Sequence, residues 1–313
     1  MAAELSPDQR RIKALRRFAL SITVLTVLGH AWLGFEQAYL TPIVTVLTAY
    51  AVELTLESLE ALVSRRRPRF LGSAATFADF LLPAHIAGLA SAMLLFAGDR
   101  LAPYMLAVAV AIATKYVVRI RVHGRLRHVL NPSNTGITVV LLLFPWVGIA
   151  PPYQFTEYTP GLWRWVIPLV ILAAGTMLNA KLTGKMPLIL GWLGGFVLQA
   201  VMRAVLTEVW LPSALLPMSG VAFILYTNYM ITDPGSTPVA PRRQVAFGLS
   251  VAAAYGVLVA AGVSFGLFFA LTSVCVTRWL GLAALNLWRR TAPDRRPAPV
   301  TAPLEVAAES RNS

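Results

Sequence analysis

Long, uninterrupted apolar runs dominate this chain, and short clusters of arginine and lysine separate them. A helix needs about 20 apolar residues to cross the hydrocarbon of a bilayer. Ten runs approach that length: Phe18–Phe35, Thr41–Val63, Phe77–Phe96, Leu101–Val118, Pro132–Ile149, Trp165–Leu178, Pro187–Val205, Ala214–Met230, Val245–Ala261 and Val263–Thr277. They are too continuous for membrane-barrel staves of about 9–11 alternating residues. The pattern predicts an all-α, polytopic integral membrane protein of about ten transmembrane helices. The sixth run and the last two are short, so broken or tilted helices are expected there.

Composition excludes the main alternatives. Of 313 residues, 57% are hydrophobic and only 13% charged, against about 25% charged in a soluble domain. That rules out an ordinary cytosolic enzyme, a disordered chain and a secreted disulfide scaffold. Cys275 is the one cysteine, so cysteine-based zinc or iron–sulfur sites are excluded and no metal site is expected.

The net charge of +13 would suggest nucleic acid if the charges were scattered. They instead mark one side of a membrane. Arg10, Arg11, Lys13, Arg16 and Arg17 precede the first run, and Arg65–Arg67 with Arg69 follow the second. Lys115, Arg119, Arg121, Arg125 and Arg127 surround the end of the fourth. Lys181 and Lys185 follow the sixth, Arg242 and Arg243 the eighth, and Arg289, Arg290, Arg295, Arg296 and Arg311 the tenth. The alternate loops carry only Arg100, Arg164 and Arg203. This alternation predicts ten spans with both termini cytoplasmic, lipid as the main partner and no nucleic acid.

Residues 1–17 read as a basic cytoplasmic segment in the interface, 18–288 as the transmembrane domain and 289–313 as a disordered cytoplasmic tail. The first run has span length without a small-residue cleavage site, so a retained helix is expected. Ala-, Val- and Arg-rich usage points to a high-GC bacterium and its cell membrane.

An ionisable group inside a span costs about 2.5–3.5 kcal/mol on insertion scales and needs a reason. Glu53, Glu57 and Glu60 share one helical face. Glu57 and Glu60 approach the cytoplasmic end, where pairing with Arg65–Arg67 is expected. Glu53 lies deeper and is the candidate for an ion or proton pathway. His30 and His85 fall in or near spans, where hydrogen-bonded structural roles outweigh haem ligation. His123 and His128 lie in a basic loop. Arg278 reads as the exit of the tenth helix, with a glutamate pair as the sharper alternative. Gly191 and Gly195 have the spacing of a small-residue packing face.

Two motifs carry more chemistry. In Asn131-Pro132-Ser133-Asn134-Thr135-Gly136, Pro132 suits a first helical turn that Asn131 caps. The same asparagines also offer donors and acceptors to a flat polar ligand. In Thr232-Asp233-Pro234-Gly235-Ser236-Thr237-Pro238, the eighth span breaks at a polar turn. Irregular backbone at membrane depth survives only inside protein or along a cavity.

The run NYMITDPGSTPVAPRRQVAFG (Asn228–Gly248) resembles the TDP-containing signature of the NqrB/RnfD family, and HVLNPSNTGITVVLLLFP (His128–Pro145) resembles that family's Asn-Pro helix. The basic turn and MPLILGWLGG that follow Gly175 also fit. The resemblance covers about residues 10–290. It implies an NqrB/RnfD-like bundle belonging to a membrane electron-transport complex. It also implies a non-covalent flavin (riboflavin or FMN) or a quinone held near Asn131, Asn134, Thr232 and Asp233. Family members also carry FMN esterified to a threonine of a Ser-Gly-Ala-Thr motif in an outer loop. That motif is absent here; Thr156 and Thr159 are the threonines of the corresponding loop, and covalent FMN is not expected. The chain further resembles divergent, stand-alone members found with enediyne biosynthesis proteins of actinomycetes.

Three functions follow as expectations. The first is a redox or ion-coupled accessory subunit, working with other redox or biosynthetic subunits. The second is a transporter of an ion or small product, using Glu53 and the broken Asp233 segment. The third is a membrane scaffold. No nucleophile–base pair or phosphate-binding loop reaches motif strength, so no catalytic residue is assigned and activity is at most that of one subunit in a larger oxidoreductase.

Overall fold

The computed structural model describes residues 6–122 and 125–291. His123 and nearly all of the tail assigned to 289–313 lie outside them. The described chain is mostly helical, with two short β-ribbons, and helical segments fall on the apolar runs. Six helices are long and apolar enough to cross a membrane. These include α2 (Leu40–Val63), α3 (Ala74–Leu94), α7 (Met186–Thr207), α10 (Pro241–Ala260) and α11, within Gly266–Thr291. The sixth is α6 (Trp163–Leu178), prolonged by a π-helical turn, Asn179–Thr183. Shorter apolar helices are α4 (Leu101–Val117), α5 (Pro132–Leu143) and the segment Val221–Met230.

Several boundaries differ from the sequence expectation for identifiable reasons. The basic segment and the first run form one helix, α1 (Pro7–Ala31). Ser6 accepts from Gln9 N and Gln9 answers with its side chain, so a capping box starts α1 before its charges. The fifth run stops at Leu143, because Pro145 follows and Gly148–Ile149 (β4) pairs with Leu95–Phe96 (β1). The tenth run continues as helix through Thr291, so the residues after Arg278 do not leave the helix. The eighth run is broken into α8 (Leu211–Leu215), a 3-10 turn, α9 (Val221–Leu225) and a π-helical turn over Tyr226–Met230. Pro212 starts α8 in its first turn, and Pro217, which has no N–H to continue the helix, forces the first break. A second small ribbon, β2 (Arg119–Val122) with β3 (Arg125–His128), carries the basic loop.

Close backbone approach organises the packing. A Cβ on Gly191 would meet Val245 O at 2.6 Å, and one on Gly248 would meet Leu188 O at 2.5 Å. Gly195 adds a third such contact, against Ala252. These small residues let α7 and α10 form the most extensive helix pair. Trp192, Phe196, Phe223, Tyr226 and Tyr255 fill the core beside that seam. Trp192 is fully buried and its indole N–H donates to Thr227 Oγ1 at 3.0 Å, so the wide ring leaves no orphan donor. A second core lies between α1, α3, α6 and α9.

Candidate functional site

The Asn-Pro motif and the broken eighth segment do meet. Asn131 caps α5 by accepting from Asn134 N at 3.0 Å, and its Nδ2 donates to Met230 O at 2.7 Å. That bond supplements the one Asp233 N–H makes to the same carbonyl at 3.3 Å, where the π-helical turn ends. Asn134 Nδ2 reaches across to α11, donating to Phe268 O (2.9 Å) and Thr272 Oγ1 (2.7 Å). Thr232 Oγ1 donates to Asn228 O at 2.7 Å. Asp233 Oδ2 accepts from Ser236 N at 2.8 Å and closes the turn. Asn179 joins the same seam by donating to Asn228 O at 2.7 Å.

The four residues assigned to cofactor binding are therefore neighbours, and their donors are spent on backbone and Thr272. Among the described residues, Asn134 Oδ1 and Asn228 Oδ1 remain as buried acceptors without partners. A flavin edge needs donors for its carbonyl oxygens as well as acceptors for its N–H. The donor set left here does not fit one; the seam works as a joint that holds α5, α11 and the broken segment together.

Basic side chains clamp the loop after that joint. Lys185, 3% exposed, donates to Pro238 O at 2.8 Å, and Arg278 donates to Ser236 O at 2.6 Å rather than pairing with a glutamate. The His128 ring lies 3.6 Å from the Asp233 carboxylate and packs over Gly235, where a Cβ would overlap it. Burial works against the Asp233 anion, but His128 and the Ser236 N–H outweigh it and hold its pKa down at about 2. Burial pulls the Lys185 ammonium down to about 8 despite the nearby Asp233.

The sign for Lys185 follows from that depression. Between about pH 8 and its usual 10.5, the unfolded chain binds more protons, so this lysine makes stability rise with pH. Thermal unfolding of Lys185→Met beside the parent is expected to show this. The variant loses the part of the upward slope above pH 8 that Lys185 supplies; parallel curves would contradict the assignment.

The glutamate face of α2 meets cations of other elements. Glu57 is fully buried and binds Arg66 (2.5 Å) and Arg69 (2.5 Å), with the Arg69 backbone N–H adding 2.7 Å. Glu60 pairs with Arg66, Arg69 and Arg119. Arg69 and Arg119 thus take places expected for Arg65 and Arg67, because Arg65 turns left-handed (φ 49°) and swings the loop back over α2. Glu53 binds Lys115 and accepts from Tyr116 OH at 2.9 Å. The candidate ion carrier is a paired acid between α2 and α4. Thr156 and Thr159 are buried, and their hydroxyls donate to the Tyr153 and Thr156 carbonyls.

One cavity has no motif in the sequence. A lateral groove of about 450 Å³ opens between α1, α2 and α3, within the usual range for a small-molecule site. Leu20, Phe77, Leu81 and Leu82 give it apolar walls. Its polar line is an ordered chain. Thr23 Oγ1 donates to Ala19 O (2.7 Å), so its oxygen accepts from His85 Nε2 (2.8 Å). His85 Nδ1 then accepts from Tyr50 OH at 2.9 Å. At one end Arg16 and Asp79 form a two-bond ion pair, 2.7 and 2.8 Å. Only His85 was visible as a candidate; Thr23, Tyr50 and Asp79 lie on helices whose register against one another no local pattern reveals.

Among the described residues, no group of three or more His, Cys, Asp or Glu side chains is placed to hold a metal. No family model matches the chain, and no curated protein matches it.

Proposed function

We propose that the protein is a membrane-embedded redox subunit of NqrB/RnfD type that takes a lipid-soluble quinone into the groove between α1, α2 and α3. One observation carries the reading: the groove joins apolar walls to the hydrogen-bond chain Tyr50–His85–Thr23. In the polarity described, the Tyr50 oxygen keeps a lone pair for a quinol hydroxyl. If the chain reverses, Thr23 turns its proton from Ala19 O to His85 Nε2, His85 Nδ1 donates to Tyr50, and the Tyr50 hydroxyl turns to donate to a quinone carbonyl. Both polarities leave the imidazole neutral, so one site suits both redox forms. A bound quinone supplies two-electron, two-proton chemistry. The chain's own part is to bind the ring, orient it and hold a proton at Tyr50 or His85.

The motif resemblance supports the family assignment, ten spans with cytoplasmic termini in a bacterial membrane, and electron exchange with a partner subunit. An accessory step in enediyne biosynthesis is the setting it suggests. Transport through Glu53 is the weaker reading, because Glu53 is spent on Lys115 and Tyr116.

Equilibrium binding of a short-chain quinone to detergent-purified protein tests the proposal. Tyr50→Phe and His85→Leu should each weaken binding about tenfold, roughly the worth of one hydrogen bond. No saturable binding, or equal affinity in parent and both variants, overturns it.

A further inference from the structure

A second, much smaller cavity lies at the other end of α2 from Glu57. It has a volume of about 10 Å³ and is lined by Glu36, Gln37, Gln154, Glu157 and Tyr158 among others. That is room for one water-sized occupant. Its chemistry follows from the end of α3. The last carbonyls of a helix have no partner within it. Gln37 Nε2 donates to two carbonyls there, Ala92 O and Leu95 O, at 2.8 Å each. Gln154 Nε2 donates to a third, Met93 O, at 3.1 Å. Both amides are thereby fixed with nitrogen toward α3 and oxygen away from it.

The amide oxygens are left over. Gln37 Oε1 is buried without a partner among the described residues. Gln154 is nine-tenths buried, and its Oε1 accepts no hydrogen bond among the described residues. Two carboxylates, Glu36 and Glu157, line the same cavity, and no basic side chain does. The Tyr158 hydroxyl, which donates to Glu36 Oε1 at 2.7 Å, is the one side-chain donor on view. That hydrogen bond, then the charges of Glu157 and Glu36, push the Tyr158 phenol up. The lining of this one small space thus offers oxygen acceptors and almost no donor.

We propose that Glu36, Gln37, Gln154 and Glu157 bind one hard divalent cation, Ca²⁺. Oxygen-only ligands select a hard cation, and two carboxylates balance a charge of two. Amide oxygens on irregular loops suit the flexible coordination of Ca²⁺, whereas Mg²⁺ demands a near-ideal octahedron. The ion would tie the connection between α1 and α2 to the loop that carries Thr156 and Thr159. This site is independent of the quinone groove.

The test uses full-length protein stripped with EDTA in detergent. Tb³⁺ is titrated, its luminescence sensitised by Tyr158 is followed, and CaCl2 or MgCl2 is added as competitor. One saturable Tb³⁺ site is expected, displaced by Ca²⁺ in the range of about 10⁻⁴–10⁻³ M typical of extracellular modules, with Mg²⁺ at least tenfold weaker. Glu36→Gln with Glu157→Gln should weaken binding at least tenfold. Both glutamates are exposed, so this variant should unfold at the parent's temperature in EDTA. Saturable binding that the double variant retains overturns the proposal, as does no saturable binding or Mg²⁺ competing as well as Ca²⁺.

Discussion

Replacing Gly136 by alanine is expected to cost about 3 kcal/mol or more, the upper range for overpacking a tight core. A Cβ there would sit 2.0 Å from Ala107 O and 2.9 Å from Ala107 C. The obstacle is α4 backbone, so no side chain can rotate away. Nor can α5 easily retreat. Asn134 holds it to α11, and Asn131 holds it to Met230 O. Moving α5 by an ångström would stretch both sets of bonds. Gly194→Ala is the matched control: it lies in α7 and a Cβ there meets nothing within 4 Å. Relief of helical glycine should make that change neutral or stabilising by up to about 1 kcal/mol. Thermal unfolding of the two variants in one detergent gives the comparison. Equal midpoints would contradict the packing described for α4 and α5.

Glu57→Ala is the second large effect. The carboxylate is fully buried and takes bonds from Arg66, Arg69 and the Arg69 backbone. Removing one partner of a buried ion pair typically costs about 3–5 kcal/mol. The cost here should fall near the lower end, because Arg66 and Arg69 side chains are 33% and 57% exposed and can be rehydrated. The loop 64–73 should also come loose, since Glu57 is its inner anchor. Proteolysis at Arg65–Arg69 in open membranes reads this directly. Faster cleavage and a lower unfolding midpoint are expected; parent-like values for both would show that the loop is held by other contacts.

These effects also mark how far the sequence could be read. Hydrophobic runs located the six helices long enough to span, because in lipid a chain must satisfy its backbone within the helix. Ends were harder. Pro145 and the strand pair β1–β4 cut the fifth helix short, and Arg278 did not end α11. The glutamates of α2 could be recognised as needing partners. Arg69 and Arg119 could not be chosen in advance, since the left-handed turn at Arg65 decides which guanidinium returns. The Asn131 and Asp233 motifs were seen to be special, and the structure brings them together. What their hydrogen bonds reach depends on packing: Phe268 O is 134 positions from Asn134. The groove left no local trace beyond His85. Thr23, Tyr50 and His85 belong to three helices, and only their assembly makes a site.

Photolabelling locates the bound quinone. Full-length protein in lipid nanodiscs is irradiated with an azido-quinone, digested and mapped by mass spectrometry. Label should concentrate on residues 16–23, 50 and 77–85, be suppressed by excess unlabelled quinone and be lost in His85→Leu. Label that concentrates instead around Asn131 and Asp233, or that spreads over the helices without competition, would contradict a site in the groove.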